Sequence, residues 1–149
     1  NTVYVNKDSI SKIAVDKNSK GVLVANNIFY YEGETTMVLG DQYKPDTGGS
    51  GKIKNVFFEN NLFLKNHWPK EVLIQPRKSI IGNPLFKNIG GEMISDYYPT
   101  NNDLIQDKGI NISNIINDSI GIRIGLKLEK DILGNQIKNM PDIGAIEIN

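Results

Sequence analysis

The sequence predicts an all-β solenoid, a chain wound into stacked short strands, and three observations predict it. The first is a line written twice. Val22-Leu23-Val24-Ala25-Asn26-Asn27-Ile28-Phe29-Tyr30 returns 34 positions on as Val56-Phe57-Phe58-Glu59-Asn60-Asn61-Leu62-Phe63-Leu64. The second is that in each copy an apolar or β-branched run leads into Asn-Asn and another leads out, the pattern of a short strand, a tight corner and a second short strand. The third is the corner residue itself, because asparagine is the non-glycine residue that best tolerates a left-handed backbone.

Taken in order, residues 1–6 read as a strand that begins with no capping helix or polar lead-in. Stacked repeats leave apolar end faces, so upstream coils or a partner subunit are expected to cover this first rung. Alternation and β-branched content predict strands at residues 10–15 and 21–31, with a turn at Lys17-Asn18-Ser19-Lys20-Gly21. A bare three-sided coil needs about 20 to 25 residues. The surplus in the 34-residue repeat falls in residues 40–51, where four glycines and Pro45 exclude a regular strand and predict a loop excursion. A second excursion, residues 66–70, follows the second copy, and Val72-Leu73-Ile74 resumes a strand.

After Ile81 the repeat fades into Gly82-Asn83-Pro84-Leu85-Phe86 and Tyr97-Tyr98-Pro99, both rich in turn residues. Residues 103–109 predict one short helix with Leu104 and Ile105 turned inward and Gly109 stopping it. Residues 110–128 are open between loop and strand, and Pro141-Asp142-Ile143-Gly144-Ala145-Ile146-Glu147 predicts a final strand. The expected organisation is one structural unit of a longer parent. Residues 1–81 form coils with the two excursions, and residues 82–149 form a terminal coil and cap.

These closing phrases together resemble the C-terminal segment of right-handed parallel β-helix proteins of the pectin-lyase-like superfamily, the ending called a choice-of-anchor Q domain. The resemblance rests on four phrases in order over roughly the last 70 residues: Gly82-Asn83-Pro84-Leu85-Phe86, then residues 101–109, Asp131-Ile132-Leu133-Gly134-Asn135, and residues 141–147. It departs from the family where Asn102-Asp103 replaces the usual Ser-Pro, and no sorting signal follows Glu147. The resemblance implies a right-handed parallel β-helix and a bacterial carbohydrate-active parent, secreted or on the cell surface. The implied parent is a polysaccharide- or oligosaccharide-cleaving glycoside hydrolase of β-xylosidase type, with its main catalytic residues upstream of this chain. A non-catalytic carbohydrate-binding or cell-surface module and a polysaccharide lyase are the alternatives.

Composition narrows the partners. Lysine plus arginine equals aspartate plus glutamate at 17 each, so no overall field steers the chain toward nucleic acid or an anionic membrane. There is no cysteine, which removes disulfide scaffolds and thiolate metal sites. No stretch approaches the roughly 20 apolar residues of a membrane-spanning helix, and residues 1–7 do not read as a signal peptide.

A glycosidase needs two carboxylates roughly 5 to 10 Å apart. Glu34 and Asp41 flank the first excursion, and Glu59 lies one coil on, at the position of Ala25. These three are the catalytic candidates. A lyase needs clustered basic residues and a calcium-binding acidic group. Lys52, Lys54, Arg77 and Lys78 are scattered and have no acidic cluster beside them, so neither calcium nor any other cofactor is assigned. Trp68 and His67, the only tryptophan and histidine, stand together before Pro69 and are carbohydrate-binding candidates, with Tyr43 as a second platform. A lone histidine makes no zinc site. Asp107, Asp131, Asp142 and Glu147 read as structural hydrogen-bonding groups, with a metal site as the lesser alternative.

Overall fold

The computed structural model of the chain describes residues 1–16, 19–41, 44–45, 53–66, 68, 74–112 and 126–148. Among them strand dominates, and the helical elements are one 3-10 turn at Ile94–Tyr97 and one α-turn, α1, at Asn102–Ile105. The strands are β1 (Thr2–Val5), β2 (Ser11–Val15), β3 (Lys20–Ala25), β4 (Ile28–Tyr31), β5 (Thr35–Asp41), β6 (Lys44–Pro45), β7 (Lys54–Glu59), β8 (Leu62–Phe63) and β9 (Ile80–Ile81). The chain is therefore all-β, as its β-branched runs predict.

The strands form three sheets, in the orders β1-β4-β8-β9, β2-β5-β6 and β3-β7. Among these nine strands every pairing is parallel except the short β5–β6 hairpin, where Gly40 meets Pro45 and Asp41 meets Lys44. The sequence repeat is the register itself, since Val22 pairs with Val56 and Ile28 with Leu62. The hairpin opens the first predicted excursion; residues 46–51 lie outside the described residues, as do Lys17, Asn18, Val72 and Leu73.

The corner asparagines explain the register. Asn26 and Asn60 hold φ of 57° and 53°, the left-handed turn that lets β3 bend into β4 and β7 into β8. The following pair forms a buried ladder. Asn61 Oδ1 accepts from the Asn27 backbone N–H at 3.0 Å and from Asn27 Nδ2 at 2.8 Å, while Asn61 Nδ2 donates to the Val24 carbonyl at 2.8 Å. Asn1 repeats the move one step back, its amine and its Nδ2 each donating to Asn27 Oδ1 at 3.0 Å. A ladder of this kind satisfies backbone groups that a sharp corner would otherwise strand in the interior.

One face of the four-stranded sheet is covered by the later chain, while at the ends of the other Val3 and Ile81 are exposed. Ile28, Tyr30, Leu62 and Ile80 pack on Phe86, Ile105, Ile143 and Ile148 of the later chain. On the opposite face Phe29 stacks on Phe63 at 5.2 Å between ring centroids, and Trp68 joins Phe63 to Phe58 of β7. The second cluster, built from Val15, Val56 and Phe58, also takes in Ile13, Val24 and Ile74. The period-two alternation of β4 thus sends Ile28 and Tyr30 into the first cluster and Phe29 and Tyr31 to the opposite face, where their rings meet at 5.6 Å. Each fully buried Ile or Leu contributes on the order of 1.5–3 kcal/mol to holding residues 82–148 against the sheet.

Two predicted elements differ from the structure. The helix expected over residues 103–109 ends at Ile105, because Gln106 is already extended at φ −66° and ψ 124° and Asp107 then enters the left-handed region at φ 55° before Gly109 is reached. Its inward residues are as expected, Ile105 being fully buried with Leu104 packed beside it. The final strand expected over residues 141–147 does not form. Gly144 sits at φ 108°, and the N–H groups of Asp142, Glu147 and Ile148 go to carboxylates rather than to a strand ladder. Of residues 110–128, the ends meet in an antiparallel bridge between Ile112 and Leu126, and residues 113–125 lie outside the described residues.

Candidate functional site

The predicted carboxylates stand at different corners. Glu34 is exposed in the turn between β4 and β5, and its carbonyl accepts the Ser11 N–H at 3.0 Å. Asp41 ends β5, so seven residues of extended chain hold the two apart by roughly 20 Å along the strand. That exceeds the roughly 5 to 10 Å between glycosidase carboxylates. Glu59 closes β7 opposite Ala25 and beside Arg77, and its carboxylate pairs with Lys78 at 3.6 Å. The Lys78 side chain is 70% exposed, so this is a solvated ion pair of small energetic weight. Arg77 instead lies over the Phe57 ring at 4.6 Å.

Of the aromatic candidates, Tyr43 and His67 lie outside the described residues. Trp68 is half-buried; its Nε1–H donates to the Ile74 carbonyl at 2.8 Å, and its ring meets Phe58 at 4.9 Å and Phe63 at 5.8 Å. The indole N–H and part of the ring are therefore engaged within the fold. Tyr97 packs between Tyr4 and Phe86, and Lys87 covers the ring of Tyr98 at 4.3 Å.

The structure assembles a different concavity. A cavity of about 740 Å³ opens between the Asn26-Asn27 corner and the last segment of the chain, with Ile110, Leu126, Lys130, Asp131 and Glu147 among its walls. Its volume is in the range of small-molecule pockets, and among the described residues no aromatic ring lines it. No local motif announces the cavity. Its walls come from the first strands, the loop after α1 and the closing segment.

Beside it runs a chain of carboxylates bonded to backbone amides. Asp131 accepts from the N–H groups of Leu133, Asn135 and Glu147 and from Asn135 Nδ2, at 2.7 to 2.9 Å. Glu147 Oε1 accepts the Asp142 N–H at 2.8 Å, and Asp142 accepts from Asp107 N and Ile148 N at 2.6 Å each. These are the structural roles expected of Asp131, Asp142 and Glu147, while Asp107 takes part through its backbone N–H. Among the described residues no group of three or more His, Cys, Asp or Glu side chains is arranged to hold a metal ion.

The same bonds divide the carboxyls. Burial would raise Asp131, but the donors from Glu147, Asn135 and Leu133 outweigh it and hold its carboxyl below the ordinary value. Burial pushes Asp142 up against the pull of its two amide donors, and repulsion from Asp107 and Asp131 adds to the rise. Burial likewise raises Glu147, with one amide donor opposing and Asp142, Asp131 and Asp107 repelling.

No family model and no curated protein matches the chain.

Proposed function

We propose that the chain is the C-terminal segment of a right-handed parallel β-helix of pectin-lyase-like type, ending in a choice-of-anchor Q phrase, from a bacterial carbohydrate-active parent. The observation that carries the reading is the register. β1 pairs with β4, β2 with β5 and β3 with β7, each in parallel, while an asparagine corner recurs at the same place. A chain that returns in parallel to three sheets in turn is winding as a coil would. The resemblance of the four ordered closing phrases is what supports the handedness and the family in this reading.

In this reading the parent is a glycoside hydrolase of β-xylosidase type whose catalytic residues stand on other coils. The separation of Glu34 from Asp41 and the ion pair of Glu59 with Lys78 favour a supporting role for this segment. The first rung, where β1, β2 and β3 each pair on one side only, is covered by upstream coils or a partner subunit.

The test starts with the intact mass and N-terminal sequence of the native product, followed by assays of that product on xylan and pectin. A larger parent that releases reducing ends from xylan supports the reading. UV-absorbing unsaturated products from pectin would favour the lyase alternative. A free-standing 149-residue product without activity would overturn the parent-enzyme reading.

A further inference from the structure

We propose that residues 131–148 form a proton-tightened clasp, in which Glu147 takes up a proton in mild acid and so strengthens the closure of this segment on the first strands. The clasp spans distant parts of the chain. Gly144 N donates to the Asn26 carbonyl at 2.9 Å, Ala145 N to Thr2 Oγ1 at 3.2 Å, and Gly109 N to the Pro141 carbonyl at 2.7 Å. Asp131, Glu147 and Asp142 knit it together through the amide bonds described above, ending on Asp107.

Four carboxylates therefore share one small region, and among the described residues none makes an ion pair. The cations facing it are Lys127, Lys130 and Lys138 of the cavity wall and the amine of Asn1, none within 4 Å of a carboxylate oxygen among the described residues. Mutual repulsion inside a partly desolvated cluster is relieved by one added proton.

The geometry says where that proton goes. Each oxygen of Asp131 already accepts two N–H donors, so a proton there would displace one, while each oxygen of Asp142 accepts one. Glu147 uses only Oε1, so a proton on its Oε2 removes charge and breaks none of the clasp's bonds.

The sign of the effect follows from linkage. Glu147 titrates above its ordinary 4.5 in the fold, so its contribution is fully present below 4.5 and is lost as pH rises through the folded value. Asp131 titrates below its ordinary 3.8, so its contribution is present above 3.8 and is lost as pH falls further. Asp142 is raised as well and contributes with the same sign as Glu147, so closure is tightest between the lowered value of Asp131 and the raised values of Asp142 and Glu147. Since Asp131, Asp142 and Glu147 also line the cavity, the pocket wall stiffens over the same window.

The test compares the wild type with Glu147→Gln, which mimics the protonated carboxyl. Melting temperature and amide exchange at Asp142, Glu147 and Ile148, corrected for intrinsic rates, are followed from about pH 8 to about pH 4. The wild type is expected to gain melting temperature and amide protection as pH falls, and Glu147→Gln to show a flatter profile. A purely structural role would shift the variant equally at every pH, and parallel profiles would overturn the proposal. Should the variant fail to fold, the carboxyl carbon resonance of Glu147 is titrated in the wild type. A midpoint at or below 4.5 overturns the clasp, and one above it supports it.

Discussion

Truncating Asn61 to alanine tests whether the asparagine ladder holds the coils in register. Asn61 is fully buried, and its side chain meets two backbone groups, the Asn27 N–H in a buried bond and the Val24 carbonyl in a part-buried one. Asn27 Nδ2 also loses a partner but keeps the Ala25 carbonyl at 2.8 Å. An unsatisfied buried backbone group costs about 1–3 kcal/mol, so two orphaned groups cost about 2–6 kcal/mol. A domain of this size has a total stability of about 5–15 kcal/mol. With a urea m-value of about 2 kcal/mol/M, the unfolding midpoint should fall by about 1–3 M at unchanged slope. Equilibrium urea unfolding followed by circular dichroism reads this directly. If Asn61→Ala does not fold, Asn61→Asp serves, because its carboxylate still accepts from Asn27 but cannot donate to Val24. That variant should be weakened near neutrality and partly restored in acid, where a protonated carboxyl regains a donor. A midpoint within about 0.3 M of the wild type for Asn61→Ala would refute the reasoning, because it would mean that the two orphaned groups find other partners at no cost.

Three further outcomes are expected. At the neighbouring corner, Asn60→Gly keeps the 53° backbone accessible and loses the bonds to Asn26 and Lys108, whereas Asn60→Ala adds about 1–2 kcal/mol of left-handed strain, so thermal melts should rank alanine below glycine. Gly144→Ala would place a methyl 2.7 Å from Ile28 Cδ1 and 3.0 Å from Thr2 Oγ1 at φ 108°, costing about 2–4 kcal/mol; an unchanged melting temperature would contradict the close packing of the closing segment. Trp68→Ala should cost about 1–3 kcal/mol, less than a fully buried aromatic because the ring is half-buried beside Phe58 and Phe63, and the single tryptophan gives a fluorescence signal for the wild-type transition. Retained stability together with lost retention on a xylan affinity gel would instead make Trp68 a ligand platform.

What could be read from the sequence was local. The apolar runs before and after Asn26-Asn27 and Asn60-Asn61 are strands because alternation and β-branching act within a few residues, and the asparagines turn because their own backbone preference allows it. The 34-residue spacing also carried the pairing of β3 with β7 and of β4 with β8, since a repeated segment stacks on its copy in register. Tertiary structure decided the rest. The closing segment reads as a strand by composition, but Asp131, Asp142 and Glu147 capture its amides, and Gly144 and Ala145 bond back to Asn26 and Thr2. Thr2 and Ala145 are 143 positions apart. The cavity, the separation of Glu34 from Asp41 and the inward anchoring of Trp68 have the same origin. Each depends on which distant groups desolvate one another when the chain closes, and hydrogen bonds and burial at such separations leave no periodic trace in the residues that make them.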